Sequence, residues 1–505
     1  MKKAVVILMV LTIFSKFIGF FRDVILAYFY GASGISDAYI ISMTIPVVIF
    51  GVVARGISTG YIPMYSRIEE EEGSPEAIRY TNNLINVLLA FCTLIVAAGL
   101  FFTEPIVKVF ASGFEGATLQ TAVTFTRITI LGIYFTIFIR VLSAYLNYKK
   151  YFAVPNLLGI PMSIIVILSI MISYQLNVVD LLAFGFVTAL FVQLLILLLF
   201  AYKKGYHYKP TFDLKDEHLK KMLLLAVPVI LGSMVHQINK LVDRTLASQI
   251  STGGISALNY ANTLNGFVHG VFVTSIATVM YPLISKMASK DNIEGLKRSL
   301  YQSIIGISVL IVPATVGSML FAEPIVRMLF DRGAFDAQAV TMTAGAFFFY
   351  SIGMMGTGLR VILSKAFFSL QDTRTPMVNA AMAMGLNIVL NLILSRYMGI
   401  SGLALATSIS AIFCTVLLFY NLRNKLGSLN YRRMTGSFLK VVAASLIMGA
   451  AAELVYHSLL NVIDFQITLI ITIITAAVIY LAVVYFMKIE EITPLVNGIR
   501  QKLKL

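Results

Sequence analysis

The sequence predicts an all-α integral membrane protein of about fourteen transmembrane helices, with two six-helix pseudo-symmetric lobes around a central cavity and two further C-terminal helices. Three observations carry this expectation. Of the 505 residues, 58% are hydrophobic and 12% charged, about half the charged share of soluble domains. Apolar runs long enough to cross a bilayer recur along the whole chain, and part of the first half returns in the second.

A span needs roughly 20 mainly apolar residues, and such runs centre near residues 15, 50, 92, 133, 163, 191, 232, 271, 310, 352, 387, 412, 446 and 475. The first follows Met1-Lys2-Lys3 and continues past Ser15 to Tyr30 without a small-residue cleavage site, so it reads as a retained helix rather than a signal peptide. In the first two spans Gly19, Gly51, Gly56, Gly60 and Pro46 permit close packing or bending.

The net charge of +15 sits mostly in short segments between apolar runs, which points to membrane orientation and away from nucleic acid. Basic residues return after every second span, at Lys149-Lys150, Lys203 to Lys221, Lys286 to Arg298, Arg374, Arg423 to Arg433 and the tail Lys488 to Lys504. By the positive-inside rule both termini are expected in the cytoplasm. Glu69 to Glu72 sit awkwardly in one cytoplasmic loop, but acidic residues weigh little in that rule.

Glu104-Pro105-Ile106-Val107-Lys108 recurs as Glu323-Pro324-Ile325-Val326-Arg327. Near the same displacement, Gly34-Ile35-Ser36 meets Gly254-Ile255-Ser256 and Arg140-Val141 meets Arg360-Val361, which indicates a duplication. Six spans per copy return the chain in the same orientation, so the axis relating the halves runs along the membrane normal. The expected domains are residues 1–210, 211–430 and 431–505, the last holding spans 13 and 14 and a cytoplasmic tail.

An ionised side chain at mid-bilayer costs about 2.5–3.5 kcal/mol on insertion scales, so it normally faces a partner or a wet cavity. The first span carries Lys16, Arg22 and Asp23, the second Asp37 and Arg55, and the fourth Arg127. At the repeat positions of Lys16, Arg22, Arg55 and Arg127 stand His236, Val242, Ser275 and Phe347, which makes the first lobe the cationic one. Cations on a cavity wall attract an anionic head group, and Arg grips phosphate oxygens through paired hydrogen bonds. The bland alternative is a set of fasteners, Lys16 to Asp23 or Arg22 to Asp37.

In the second half Asp243, Asn387, Asn391 and Thr407 offer oxygen ligands of the kind a small hard cation takes, against a bland reading as interhelical polar packing. Arg140 and Arg360 are expected to snorkel toward cytoplasmic ends. The two cysteines and five histidines are dispersed, and no metalloprotease or phosphate-loop string occurs, so catalysis finds no support.

Several strings resemble the MurJ family of lipid II flippases, within the multidrug and oligosaccharidyl-lipid exporter superfamily. They are Ser15-Lys16-Phe17-Ile18-Gly19-Phe20-Phe21-Arg22-Asp23, Phe29-Tyr30-Gly31-Ala32, Ser36-Asp37-Ala38-Tyr39, Tyr61-Ile62-Pro63 and Gln371-Asp372-Thr373-Arg374-Thr375-Pro376. The resemblance implies alternating-access transport of an undecaprenyl-pyrophosphate-linked peptidoglycan precursor from the cytoplasmic to the outer leaflet of the bacterial inner membrane, with a monomer the expected form. It implies substrate-binding roles for Lys16, Arg22 and Asp37, with Asp23 beside them, a lipid-tail groove at spans 13 and 14, and a sodium site at Asp243, Asn387, Asn391 and Thr407. No other cofactor is expected; lipid II and membrane lipids are the expected partners.

The sequence departs from that pattern where the family has a basic pair after the span 2 proline. Here stand Phe50-Gly51, with Arg55 one turn later as a substitute, and Thr263 replaces a further arginine. Two alternatives therefore stay open. A flippase of another polyprenyl-linked oligosaccharide fits the same architecture, whereas a cation-coupled drug exporter is disfavoured by the sign of the cavity charge.

Overall fold

The structure is a computed structural model, which describes residues 2–427 and 431–487. The side chains of residues 2–10, 52, 53, 55, 58, 59, 225, 227–236 and 431 lie outside the described residues, and so does the basic tail from Lys488.

Among the described residues every element is a helix. They run α1 (Lys2–Tyr30), α2 (Gly34–Glu71), α3 (Ser74–Phe101), α4 (Thr103–Phe110), α5 (Gly116–Thr129), α6 (Gly132–Tyr148), α7 (Ala153–Leu157), α8 (Gly159–Leu176) and α9 (Leu181–Lys203). Then follow α10 (Glu217–Ile250), α11 (Gly254–Ser289), α12 (Ile293–Leu320), α13 (Ala322–Phe330), α14 (Ala337–Ile352) and α15 (Met354–Ser369). The chain closes with α16 (Arg374–Leu426), α17 (Tyr431–Leu460) and α18 (Phe465–Phe486).

Nine helices among the described residues are long and apolar enough to cross a membrane, or eleven if each of two bent pairs forms one span. That count takes α16 once, although Gly399 (φ 58°, ψ −135°) breaks it into two helices. It leaves aside α1 and α10, which are 29 and 34 residues long. Each of the fourteen expected span centres falls inside one of these helices.

The duplication reappears as element order. A 28-residue helix is followed in each copy by a short amphipathic one, α3 by α4 and α12 by α13. A bent pair comes next, α5 with α6 and α14 with α15, each bent by 45°. The two related Glu-Pro-Ile-Val strings are the short helices themselves, closed by the ion pairs Lys108–Glu104 and Arg327–Glu323, both at 2.7 Å.

By compactness the chain divides into a unit of Met1–Ser256 with Arg332–Asp336 and a unit of Ala257–Asp331 with Ala337–Leu505. In the first unit α10 packs along α2. A Cβ at Gly51 would lie 3.0 Å from Gln237 Nε2, and one at Gly60 would lie 2.9 Å from Met222 Cγ. These two glycines of α2 let helices approach closely.

Within the first unit the acidic end of α2 is neutralised locally. Glu69 accepts from Lys149 Nζ at 2.7 Å and Tyr148 Oη at 2.6 Å, Glu71 pairs with Arg67, and Glu72 meets His218. Burial would push the Glu69 carboxyl up, but these hydrogen bonds hold it below its ordinary value. Local pairing explains how an acidic run sits in a segment expected to be basic.

In the second unit α17 and α18 pack on α12 through Val441, Ala444, Met448 and Tyr480 against Ile305 and Val312. Tyr480 Oη donates to the Val309 carbonyl at 2.7 Å, which satisfies a polar group inside an apolar contact. The opposite side of α18 exposes Ile470, Ile474, Val478 and Leu481 at helical spacing.

Candidate functional site

The charged residues of α1 do not pair as the sequence spacing suggests. Arg22 turns sideways to its neighbour, and Asp23 Oδ1 accepts from Nη2 at 2.7 Å and Nε at 3.0 Å. Side-chain exposure is 26% for Arg22 and 12% for Asp23, so the guanidinium still reaches open space while the carboxylate is mostly covered. Lys16, two turns earlier, is exposed and makes no ion pair among the described residues. The alternative pairings Lys16 to Asp23 and Arg22 to Asp37 are absent among the described residues.

Tyr39 of α2 lies in the field of this pair, fully buried, with a hydroxyl that has no hydrogen-bond partner. A buried hydroxyl normally finds a partner. The arrangement therefore holds a cation and an orphaned donor where an anionic group would satisfy both.

Asp37 is engaged elsewhere. It sits in the first turn of α2, after the N-cap Ser33, and is 1% exposed. Its Oδ2 accepts from Gly253 N at 2.7 Å, and its Oδ1 accepts from Ser256 N at 2.7 Å and Ser256 Oγ at 2.5 Å. The carboxylate thereby caps the N-terminus of α11, whose first amides lack helical partners. The residue that follows the first Gly-Ile-Ser string binds the second, and Arg244 Nη1 closes the junction on the Ile255 carbonyl at 3.1 Å.

The same rim of the first unit is drawn tight by backbone. Ala334 N donates to the Tyr28 carbonyl at 2.8 Å, and Gly333 (φ +64°) lies so close that a Cβ there would stand 2.3 Å from that carbonyl oxygen. Thr245 Oγ1 donates to Val109 O at 2.8 Å, and Ser248 Oγ accepts from Gly113 N at 3.0 Å.

The remaining expected residues divide. The side chain of Arg55 lies outside the described residues. Arg127 is exposed in the last turn of α5, and its charge reaches Glu104. In the second unit Asn391 Nδ2 donates to Asn387 Oδ1 at 3.0 Å, and Asn387 Nδ2 reaches Thr407 Oγ1 at 3.5 Å across the Gly399 break. These three side chains supply the oxygen donors a hard cation takes, although they bond to one another here. Asp243, on α10 of the first unit, accepts from Asn239 Nδ2 at 3.4 Å. Among the described residues no group of three His, Cys, Asp or Glu gathers as a metal site.

Sequence reading missed Tyr39, Gly253 and Ser256 as partners of the charged cluster. Tyr39 and Ser256 lay inside strings already singled out, but nothing in either string shows that one contacts Arg22's surroundings and the other Asp37. It also missed that Asp372 of the second unit is structural. Asp372 accepts from Thr375 N at 3.0 Å and Lys425 Nζ at 2.9 Å, and so ties both ends of α16 together.

Comparison with known proteins adds to this geometry. The profile of the family described as "Lipid II flippase MurJ" matches residues 26–487. A probable lipid II flippase MurJ of Vibrio cholerae is 30% identical over 435 residues, covering 83% of this chain and 82% of the relative. One from Buchnera aphidicola subsp. Baizongia pistaciae is 28% identical over 456 residues and 88% of each chain. A solved structure titled "Lipid II flippase MurJ, inward closed conformation" aligns with TM-score 0.83 and 25% identity, covering 96% of this chain and 100% of that one. The fold also matches an inward-facing multidrug resistance MATE transporter, with TM-score 0.70 at 16% identity over 83% of this chain and 96% of that one.

Proposed function

This chain belongs to the MurJ family of lipid II flippases, and from that premise we propose that it moves lipid II from the cytoplasmic to the outer leaflet for cell-wall synthesis. It is a multi-pass membrane transporter, and its pyrophosphate-bearing substrate is the kind of anion the first-lobe cations suit. The observation that carries the reading is Arg22, half-buried in a membrane helix, with one carboxylate beside it and the orphaned Tyr39 hydroxyl nearby. Arginine offers phosphate oxygens a planar fork of donors, and Lys16 adds a mobile point charge two turns away.

In this mechanism the pyrophosphate enters an inward-open cavity, binds Arg22, Lys16 and Arg55, and leaves when the lobes rock outward. Asp23 holds the Arg22 fork in place rather than binding substrate. Asp37 acts on the conformational step, because its carboxylate closes the rim at α11 and must let go for that rim to open. Both termini lie in the cytoplasm in this reading, and the exposed stripe of α18 meets the lipid tail. The protein works as a monomer. A sodium ion held by Asn387, Asn391 and Thr407 would supply coupling charge, and the membrane potential acts on any net charge moved, at about 2.3 kcal/mol per elementary charge per 100 mV.

Phe50, Gly51 and Thr263 favour a second reading, transport of another polyprenyl-linked oligosaccharide with fewer cation contacts. The deciding test depletes the native lipid II flippase of a bacterial host and supplies this chain. Rescue that is lost with Arg22→Ala supports lipid II. Failure at normal membrane levels moves the assignment to another polyprenyl-linked saccharide.

A further inference from the structure

Between α9 and α10 the chain forms an irregular strap, residues 204–216, that is tied to α3 by three asparagines. Asn82 donates to the His207 carbonyl at 3.1 Å and accepts from Tyr206 Oη at 2.8 Å. Asn83 donates to the Asp213 carbonyl at 2.9 Å and accepts from the Asp213 amide at 2.7 Å. Asn86 donates to the Thr211 carbonyl at 2.8 Å and accepts from Tyr208 Oη at 2.6 Å.

These ties fix the level at which the strap lies. Charges and amides occur in α3 only up to Asn86, and from Val87 to Phe101 there are none. The strap is therefore bound to the last polar turn of a membrane span, where the helix passes from head groups into hydrocarbon.

The outer side of the strap carries two chemistries. Phe212 and Leu214 are 59% and 60% exposed, although the backbone beside them is held to α3. Lys209 and Lys215 are exposed and make no ion pair among the described residues. From Lys203 to Lys221 six lysines stand against three carboxylates. All three carboxylates are engaged: Asp213 accepts from the Lys215 amide at 2.8 Å, Asp216 caps α10, and Glu217 pairs with Lys221 at 3.5 Å. Apolar side chains flanked by lysine at the edge of a bilayer match an anionic lipid surface, which offers phosphate above and hydrocarbon below.

We propose that the strap is an anchor for anionic phospholipid in the leaflet where α3 begins. Phe212 and Leu214 enter the boundary between head groups and acyl chains, and Lys209 and Lys215 take lipid phosphates. The strap ends at Asp216, which caps α10 and also accepts from Asn83 at 3.0 Å, so lipid held here fixes where α10 starts.

The chain contains no tryptophan, so Phe212→Trp places a single indole on the strap. The purified full-length protein is reconstituted in phosphatidylcholine containing a minority of one brominated lipid. Brominated phosphatidylglycerol is expected to quench the indole more than brominated phosphatidylcholine at equal mole fraction, with an enrichment of about fivefold for each lysine engaged. Salt narrows the difference. Lys209→Gln with Lys215→Gln brings the two lipids level, whereas Lys209→Arg with Lys215→Arg keeps them apart. Aqueous acrylamide reaches the indole poorly. Equal quenching by the two lipids, a difference that survives both glutamines, or an indole open to acrylamide and untouched by either lipid would each overturn the proposal. If Phe212→Trp fails to fold, Leu214→Trp gives the same readout. No transported substrate enters these measurements, so a failed anchor and a failed rescue are told apart.

Discussion

Asp37 and Ser256, 219 residues apart, are joined by a backbone hydrogen bond of 2.7 Å and a hydroxyl hydrogen bond of 2.5 Å. Hydrogen bonds to a charged group contribute about 1.5–3 kcal/mol each. Asp37→Ala removes three acceptor contacts at once and leaves the first amides of α11 without a cap. Its unfolding temperature in detergent is expected to fall by several degrees, and transport to stop. Ser256→Ala keeps both backbone contacts and loses one such bond, about 1.5–3 kcal/mol. If the two variants melt alike, the carboxylate is not what holds this junction.

Arg22→Ala is expected to abolish rescue of a flippase-depleted host while membrane levels stay normal, and Arg22→Lys to retain a minority of activity because a point charge replaces a fork. Full rescue by a well-expressed Arg22→Ala protein sinks the phosphate-binding role.

The Arg55 substitution idea has its own test. Arg55→Ala is expected to lower rescue severely, and adding Phe50→Arg to restore part of it. A double variant no better than Arg55→Ala shows that the two positions do not share one role.

Asp372 gives a pH dependence with a definite sign. A hydrogen bond from Lys425, helped by the Thr375 amide, holds its carboxyl down at about 2, below the ordinary 3.8. A group depressed in the folded state contributes its full stability above the unfolded value, and loses it as pH falls through the folded one. The stability gap between the parent and Asp372→Asn is therefore flat above pH 4 and narrows between roughly pH 4 and 2. Unfolding temperatures measured across that range check it. A gap that narrows near neutral pH rules the clip out.

Two glycines with positive φ make a matched pair. A Cβ at Gly116 (φ +51°) meets nothing within 4 Å, whereas one at Gly333 stands 2.3 Å from the Tyr28 carbonyl oxygen. Gly116→Ala costs only the left-handed backbone penalty of about 1–2 kcal/mol. Gly333→Ala adds a backbone clash and is expected to lower the unfolding temperature clearly further. Equal losses in a thermal melt would show that the loop moves aside without cost.

The spans and the repeat were legible because both are local or periodic. Apolar length marks a helix wherever it occurs, and Glu-Pro-Ile-Val names the same short helix twice. The charged cluster was legible only as a list. Spacing put Lys16 and Asp23 on one face, but Arg22 reached its immediate neighbour instead, a choice governed by side-chain length rather than helical angle. Asp37 was legible as a charge, but its partners Gly253 and Ser256 lie in a stretch no local rule connects to it.

The Gly-Ile-Ser string occurs twice, but the carboxylate after it occurs once, since Ala257 stands where the second copy would carry its own. The cap on α11 therefore rests on one carboxylate. Two reciprocal carboxylates would loosen it in stages, each half guarding against loss of the other. With one, the whole cap is made or lost through a single side chain, so damage at Asp37 has no spare to limit it.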